Sequence, residues 1–294
     1  VLESVQWTVK ASERPLSVAL YQPNIPQERK WDRRWYPRIL AGYQSTVDTL
    51  YGADIILWPE SAIPNYYQRA RDFIDPIARR AGDSGSTLIL GIPYLAAGGG
   101  GYFNSIVALG YGEGVYHKQR LVPFGEYVPL EKWLRGVIDF FDLPMSAFSS
   151  GEPGQVLLRA GSFRVAPFIC YEIVYPDLVA RGARKADILV TISNDSWFGR
   201  SIGPLQHLQI ARMRALENGR YLLRGTNNGV TAVIDDRGRV VARADPFVET
   251  TLRAHAEVMM GNTPFGIFGS TPLLLACAAL LLSMGVAHRT LWDT

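Results

Sequence analysis

Three apolar, strand-like stretches of the sequence each run into a residue with a different reactive group. The string DIILWP precedes Glu60, GVYH precedes Lys118, and FRVAPFI precedes Cys170. Functional groups of α/β sheets gather beyond the carboxyl ends of the strands, so the carboxylate, the amine and the thiol are expected to meet. The three residues therefore predict a site for acyl transfer.

The chemistry of such a site follows from the three groups. A cysteine attacks a carbonyl carbon as the thiolate, and Glu60 is expected to take the thiol proton and return it to a leaving group. Lys118 and the backbone N–H of Tyr171 are expected to stabilise the negative oxygen of the tetrahedral intermediate. A thioester then forms on Cys170, and a second nucleophile, water or an amine, releases the acyl group.

Glu172, two residues after the thiol, is an unusual residue at the end of an apolar strand. A carboxylate this close to a thiol is expected to raise the pKa of the thiol unless a cation offsets it, and Lys118 could supply that cation. Two interpretations stay open. Either Glu172 is part of the site, or it forms an ion pair with a nearby arginine.

The rest of the chain predicts the architecture around these residues. Short apolar runs alternate with helix-like stretches, which indicates an α/β sandwich over residues 15–257. Residues 1–14 are interpreted as a linker from an upstream membrane region, and residues 258–270 as a second linker. Within the domain, residues 66–81 are typical of a helix that breaks or kinks near Pro76.

The C-terminal segment is strongly apolar, since residues 258–287 contain no Asp, Glu, Lys, Arg or His. We expect a transmembrane helix over residues 271–288, because with the apolar residues before it the segment reaches the roughly 20 residues that a span needs. Arg289 favours a cytoplasmic tail, which would place the catalytic domain in the periplasm of a bacterium. An exported domain needs an earlier signal, so upstream membrane helices are also expected.

An aromatic-rich segment at residues 130–148 allows two interpretations. It is either a helix packed on the core or an interfacial arm that touches lipid. In the second case Trp133 and Phe141 are candidates for contact with the acyl chain at a gate that opens toward the bilayer.

Composition excludes several classes of function. The formal net charge is only +3 and no basic run carries interleaved aromatic residues, so nucleic acid is not an expected partner. The chain has two cysteines, Cys170 and Cys277, which is too few for a disulfide framework. Cys277 lies in the apolar segment and is interpreted as a small hydrophobic residue. No residues have zinc-ligand spacing, and neither a metal nor an organic cofactor is expected.

The sequence around the three reactive residues resembles a known superfamily. The strings WPES, HKQRLVPFGEYVP, CYE and SNDSWFG are similar to those of the nitrilase superfamily with its Glu-Lys-Cys triad. The longer strings WPESAIP, LVPFGEYVPLE and GPLQHLQIARMRALE resemble one branch, the apolipoprotein N-acyltransferases. The resemblance covers residues 15–241 and continues into the terminal apolar segment. It implies a nitrilase-like α-β-β-α sandwich followed by a C-terminal transmembrane helix.

The resemblance also implies an activity. It predicts an enzyme of the bacterial inner membrane, with a periplasmic catalytic domain, whose partners are a phospholipid, an apolipoprotein and the bilayer. The enzyme would move a fatty acyl chain from phosphatidylethanolamine to the N-terminal amine of a diacylglyceryl-cysteine apolipoprotein. Glu60 would be the base, Lys118 the oxyanion stabiliser and Cys170 the nucleophile. Further matching positions near the triad or linked to activity are Glu126, Tyr171, Glu172, Asn104, Trp31 and Trp197.

Two alternatives use the same residues differently. A membrane-anchored carbon–nitrogen hydrolase would have the same triad but would use water as the acceptor and a small amide as the substrate. A binding or scaffold protein on an inactive nitrilase fold would need none of the three reactive side chains. The terminal apolar segment and the LVPFGEYVPLE string argue against the first, and the intact triad argues against the second.

Overall fold

The computed structural model describes residues 5–99, 101–127 and 148–292 of the chain, with side chains described as far as Met284. Trp133 and Phe141 lie outside the described residues, as does most of the aromatic segment, so their predicted roles stay predictions.

The described residues form a mixed α/β fold. Its strands are β1 (Thr8–Lys10), β2 (Leu16–Gln22), β3 (Ile55–Leu57), β4 (Thr87–Leu95), β5 (Tyr102–Gly110), β6 (Gly112–His117), β7 (Leu158–Ala160), β8 (Phe163–Ile169), β9 (Ile188–Ser193), β10 (Leu222–Thr226), β11 (Ala232–Ile234), β12 (Val240–Arg243), β13 (Thr250–Ala256) and β14 (Met259–Gly261). Its helices are α1 (Gln27–Lys30), α2 (Tyr36–Val47), α3 (Arg71–Asp83), α4 (Pro176–Ala183), α5 (Gly203–Asn218), α6 (Pro264–Phe268) and α7 (Thr271–Trp292).

Twelve strands make one continuous sheet in the order β12-β11-β10-β9-β8-β7-β6-β5-β4-β3-β2-β13. The sheet folds over on itself, because β2 packs against β10, β5 against β8, and β11 against β13. The two halves enclose a core of aliphatic side chains that includes Leu20, Leu57, Ile169 and Ile192. This arrangement is the sandwich of two sheet layers that the sequence predicts.

Helices cover the outer face of each half of the sheet. Tyr43 of α2 and Ile74 of α3 pack on the outer side of β2–β5. On the other half, Val179 of α4 and Ala211 of α5 pack on the outer side of β8–β11. The apolar side chains of both sheet faces are thereby buried, which explains why the central strands read as continuous apolar runs. The layer order is α-β-β-α, as expected.

Of the break or kink predicted near Pro76, the break is wrong, because α3 continues through that residue. The chain breaks earlier, between a 3-10 turn at Tyr67–Arg69 and the start of α3 at Arg71. Pro76 sits just beyond the first turn of α3, so the helix gives up a single backbone hydrogen bond there.

The segments expected to be linkers both contain a short strand. β1 pairs antiparallel with β14, with Thr8 opposite Gly261 and Lys10 opposite Met259. Within the part of the chain that the structure describes, none of the helices is long and apolar enough to cross a bilayer. The spanning helix over residues 271–288 therefore stays a prediction.

Candidate active site

The strand ends bring the three reactive residues together as the sequence predicts. Glu60 follows β3, Lys118 follows β6 and Cys170 follows β8, and all three line one cavity of about 380 Å³. The Lys118 ammonium lies 3.8 Å from Oε1 of Glu60. A nucleophile, a carboxylate and a cation thus share one enclosed space at the carboxyl ends of their strands.

Cys170 occupies a strained turn. Its backbone has a φ of +51°, in the left-handed region that residues with a side chain seldom adopt. Such a conformation costs roughly 1–3 kcal/mol and persists only where the surroundings enforce it. Here it lies at the junction of β8 and a 3-10 turn, Cys170–Val174. Cys170 is partly exposed and lines the cavity.

Glu60 is held in one orientation by donors on both oxygens. Its Oε1 accepts a hydrogen bond from the Asn104 amide at 2.7 Å, and its Oε2 accepts one from the backbone N–H of Asn194 at 2.8 Å. Its backbone carbonyl accepts a hydrogen bond from the buried Lys30 ammonium at 2.8 Å. A base fixed in this way meets the geometric requirement for proton transfer in a defined direction.

Glu126 completes the polar floor of the cavity. Its carboxylate accepts hydrogen bonds from the Lys118 ammonium at 2.8 Å and from the Asn104 amide at 2.9 Å. Asn104 therefore bridges the carboxylates of Glu60 and Glu126. Lys118 is closer to Glu126 than to Glu60, so Glu126 is the residue that locks the position of the cation.

The electrostatics of the site assign each group its resting state. Burial and the Glu60 carboxylate raise the pKa of the Cys170 thiol well above its usual range, and Lys118 opposes them only in part. Burial by itself lowers the pKa of Lys118, but Glu60 and Glu126 outweigh it, so that pKa is raised. The site rests with a protonated thiol beside a permanent cation, and the thiol proton must be removed as the nucleophile attacks.

Glu172 lies behind the cavity and connects two loops. Its buried carboxylate accepts hydrogen bonds from the hydroxyl of Tyr116 at 2.8 Å and from the backbone N–H groups of Gln119 at 2.7 Å and Ile169 at 2.8 Å. Burial raises the pKa of Glu172, although the Ile169 N–H opposes the shift. These partners tie the segment after Lys118 to the turn at the nucleophile. They are hydroxyl and backbone groups rather than the arginine side chain that one interpretation supposed.

The predicted substrate-contacting tryptophans lie at the cavity. Trp31 and Trp197 line it together with Phe198 and the apolar stretch that includes Val122. Both tryptophans keep much of their surface exposed, 37% for Trp31 and 62% for Trp197. A second cavity of about 840 Å³ adjoins the first and shares these two residues. The rings therefore stand between two spaces, each large enough for part of a substrate.

Gly91 in β4 permits the close approach of the base to the sheet. A Cβ at this position would lie 2.7 Å from Glu60 Cα and 2.7 Å from the Pro59 carbonyl oxygen. We expect Gly91→Ala to lower the free energy of unfolding by about 1–3 kcal/mol, the usual cost of overpacking, and to slow the reaction by displacing Glu60. Chemical denaturation and initial rates measure the two effects.

Gly42→Ala is the matched control for that variant. A Cβ at Gly42, in α2, would meet only the Tyr21 hydroxyl at 3.7 Å. Alanine is favoured over glycine inside a helix by roughly 0.5–1 kcal/mol, so this variant should be as stable as the wild type or more so, with unchanged rates. Equal behaviour of the two variants would contradict the close-approach argument.

Sequence reasoning missed four buried residues near the triad. Lys30 is one, and burial lowers its pKa to about 8 although Glu60 opposes the shift. The others are Asp195, His207 and Arg224, which lie together behind Cys170. Burial by itself raises the pKa of Asp195, but Arg224 and His207 lower it to about 2. Asp195 lies inside the string SNDSWFG, His207 lies inside GPLQHLQIARMRALE, and Lys30 directly precedes Trp31, which was the available signal.

Among residues whose placement is described, no three or more His, Cys, Asp or Glu side chains are grouped so as to hold a metal ion.

Comparison with known proteins places this site in a family. The carbon-nitrogen hydrolase family model matches residues 17–263. The chain belongs to the carbon-nitrogen hydrolase family. This carbon-nitrogen hydrolase is 46% identical over 282 residues to a Pseudomonas putida protein named apolipoprotein N-acyltransferase, a match that covers 95% of this chain and 56% of the relative. A protein of the same name from Methylococcus capsulatus is 40% identical over 278 residues, covering 94% of this chain and 55% of the relative.

Solved structures agree with the fold of this carbon-nitrogen hydrolase. A carbon-nitrogen hydrolase from Helicobacter pylori superposes with a TM-score of 0.60 at 17% identity and covers 82% of this chain and 88% of its own. XC1258 from Xanthomonas campestris, a member of the same superfamily, gives a TM-score of 0.61 at 17% identity and covers 83% and 91%. The chain spans about half the length of the curated relatives it matches.

Proposed function

We propose that this protein is an apolipoprotein N-acyltransferase. It moves a fatty acyl chain from a phospholipid, phosphatidylethanolamine, through a thioester on Cys170 to the N-terminal amine of a diacylglyceryl-cysteine apolipoprotein. The observation that carries the proposal is an apolar, tryptophan-lined cavity above the thiol of a chain 46% identical to proteins of that name. A cavity of this kind suits an acyl chain better than a small polar amide.

The first half-reaction begins with proton transfer. Glu60 takes the Cys170 proton as the sulfur attacks the ester carbonyl of the phospholipid, forming the S–C bond. Negative charge on the carbonyl oxygen is stabilised by the Lys118 ammonium and the backbone N–H of Tyr171. The C–O bond then breaks, and Glu60 gives its proton to the departing lysophospholipid alcohol. The acyl chain remains on Cys170 as a thioester.

The second half-reaction uses the same groups. The free amine of the apolipoprotein attacks the thioester carbonyl and Glu60 takes a proton from the amine. The C–S bond then breaks, the Cys170 thiolate leaves beside Lys118, and Glu60 returns the proton to it. The products are an amide and the regenerated thiol. Because the first product leaves before the acceptor reacts, the kinetics are ping-pong.

The membrane setting of the proposal rests on the terminal helix. The described leucines of α7 are largely exposed, Leu281 by 70% and Leu282 by 71%. The described helices do not by themselves reach the length and apolarity of a span. We take the whole apolar segment over residues 271–288 to anchor the protein in the bacterial inner membrane, with the catalytic domain on the periplasmic side. Both substrates carry acyl chains, and each CH₂ costs about 0.8 kcal/mol to withdraw from lipid. A membrane-bound enzyme avoids most of that cost.

The tryptophans at the cavity have a defined role in this proposal. Trp31 and Trp197 contact the acyl chain or the lipid part of the acceptor, since they line both adjoining cavities. Trp133 and Phe141 form the gate toward the bilayer. Replacing the second pair with serine is expected to slow turnover of bilayer-embedded substrate more than turnover of detergent-dispersed substrate.

Intact-protein mass spectrometry tests the thioester. The whole protein, purified in detergent, is incubated with phosphatidylethanolamine, with Cys170→Ser beside it. We expect a mass gain of one fatty acyl chain that hydroxylamine removes and that the variant lacks. Adding a lipopeptide with a free diacylglyceryl-cysteine amine should discharge the adduct and yield the N-acylated peptide, whereas a lipopeptide with an acetylated amine should not.

The opposite outcome is equally clear. A protein that gains no acyl chain from phospholipid, yet hydrolyses small amides in a Cys170-dependent reaction, would be the membrane-anchored amidase of the first alternative. A protein whose Cys170 resists thiol reagents and acyl donors alike would fit the inactive scaffold.

A further inference from the structure

A series of buried polar contacts connects the backbone of Cys170 to α5, β10 and the segment that follows β9. The backbone carbonyl of Cys170 lies 3.1 Å from Nε2 of His207, and Nδ1 of His207 lies 3.0 Å from Oδ1 of Asp195. The Arg224 guanidinium donates a hydrogen bond to Oδ2 of Asp195 at 2.7 Å. His207 is 7% exposed, and Asp195 and Arg224 are fully buried.

The two ring nitrogens of His207 face two different acceptors. Nε2 faces the backbone carbonyl of Cys170, and Nδ1 faces the carboxylate of Asp195, whose other oxygen accepts a hydrogen bond from Arg224. The ring therefore spans the space between the nucleophile's peptide and the buried Asp195–Arg224 ion pair.

The contact between His207 and the Cys170 carbonyl also fixes the direction of the Tyr171 N–H. The peptide unit is planar and trans, so the carbonyl of Cys170 and the N–H of Tyr171 point in opposite directions. With the oxygen held toward α5, the N–H of Tyr171 points away from it. Tyr171 is the second residue of its 3-10 turn, where N–H groups have no acceptor within the turn and are available to a ligand.

The segment that carries Asp195 also holds Glu60, the proposed base. Asn194 and Asp195 follow β9 directly. The backbone N–H of Asn194 donates to the Glu60 carboxylate, while the side chain of Asp195 holds His207. Adjacent residues thus set the position of the general base and the orientation of the nucleophile's peptide.

We infer that His207, fixed by Asp195 and Arg224, is a positioning residue that clamps the Cys170–Tyr171 peptide so that the Tyr171 N–H faces the developing oxyanion. The inference rests on the proposed thioester chemistry. His207 touches no substrate and acts through the peptide. Without the clamp the strained turn at Cys170, with its φ of +51°, can rotate its carbonyl toward the cavity and remove the donor.

Two variants separate the contacts of the ring. His207→Gln places an amide N–H near the position of Nε2 and keeps a donor to the Cys170 carbonyl, whereas His207→Asn places one near Nδ1 and keeps only the donor to Asp195. Both are made with Cys277→Ser, so that Cys170 is the only thiol. Acylation is followed with p-nitrophenyl butyrate, which forms the Cys170 thioester and releases p-nitrophenolate. Alkylation by iodoacetamide is followed in parallel, because it needs the thiolate but forms no oxyanion.

We expect His207→Asn to slow acylation by about 10²-fold, the usual effect of losing one oxyanion donor, and to leave alkylation nearly unchanged. His207→Gln should recover most of the loss. Equal slowing of acylation and alkylation in both variants, or no slowing in either, would overturn the clamp. If both variants lost cooperative thermal unfolding, His207 would be a residue needed for the stability of the fold, and the clamp would be overturned as well.

Because p-nitrophenyl butyrate is not a lipid, the test of the clamp does not depend on whether the protein accepts a phospholipid. Suppose that p-nitrophenyl butyrate acylates the wild-type protein and phosphatidylethanolamine does not. That result would contradict the proposal of a phospholipid donor, and the His207 variants would still decide whether the clamp exists. A wild type that is alkylated but acylated by neither donor would sink the thioester chemistry and the clamp together.

Discussion

Replacing Glu60 with Gln is expected to change two reactions of Cys170 in opposite directions. Thioester formation should slow by about 10²–10⁴-fold, the usual contribution of a positioned general base. Alkylation by iodoacetamide at neutral pH should become faster, because after burial the Glu60 carboxylate contributes most to the raised pKa of the thiol. Removing that charge lowers the pKa and increases the thiolate fraction. The rate of thioester formation and the rate of alkylation are measured on the same preparation of each protein.

The pH dependence sharpens this prediction. In the wild type the alkylation rate should reach half of its maximum at a pH above about 8.5, the midpoint for an ordinary thiol, because the pKa of Cys170 is raised. In Glu60→Gln the plateau should move to lower pH. Glu249→Gln is the control, since that carboxylate accepts a hydrogen bond from Tyr21 away from the triad. Slower alkylation in Glu60→Gln would show that the carboxylate supports the thiolate instead of opposing it.

Replacing Lys118 with Met is expected to slow both reactions. Acylation should fall by about 10²–10³-fold, because the cation that faces the oxyanion is lost. Alkylation should fall as well, since Lys118 is the group that lowers the pKa of the Cys170 thiol. The change also leaves the carboxylates of Glu60 and Glu126 buried without their cation, which typically costs about 3–5 kcal/mol of stability.

A double variant distinguishes these effects. Lys118→Met with Glu126→Gln removes one of the two unpaired carboxylates, so it should recover part of the lost stability without recovering the acylation rate. Denaturant titration gives the first quantity and p-nitrophenolate release the second. Recovery of the rate together with the stability would mean that Lys118 serves only to neutralise its neighbours.

The opposite alkylation rates expected for Glu60→Gln and Lys118→Met have one structural cause. Glu60 and Lys118 are both buried beside the thiol, so each changes the proton affinity of the thiol through a low-dielectric medium in which charges interact strongly. A carboxylate and an ammonium at similar places in the cavity therefore have opposite effects on alkylation. Acylation needs both groups, because it requires proton removal and oxyanion stabilisation in the same step.

The sequence by itself predicted the three candidate reactive residues and the strands that carry them. Glu60, Lys118 and Cys170 could be predicted because each follows a continuous apolar run, and that pattern is local. The alternation of strands and helices likewise predicted the sandwich. The membrane helix and the gate residues Trp133 and Phe141 remain predictions, because the described residues do not test them.

Tertiary structure alone decided how these residues are held. The positive φ of Cys170, the Asn104 bridge between two carboxylates and the contact of His207 with the Cys170 carbonyl have no local signature. The hydrogen bond from Asn194 to Glu60 joins positions 134 residues apart. Hydrophobic periodicity reports which face of an element is buried, but not which distant polar group will meet it there. That choice is made only when the sheet folds over on itself and most buried donors and acceptors find partners there.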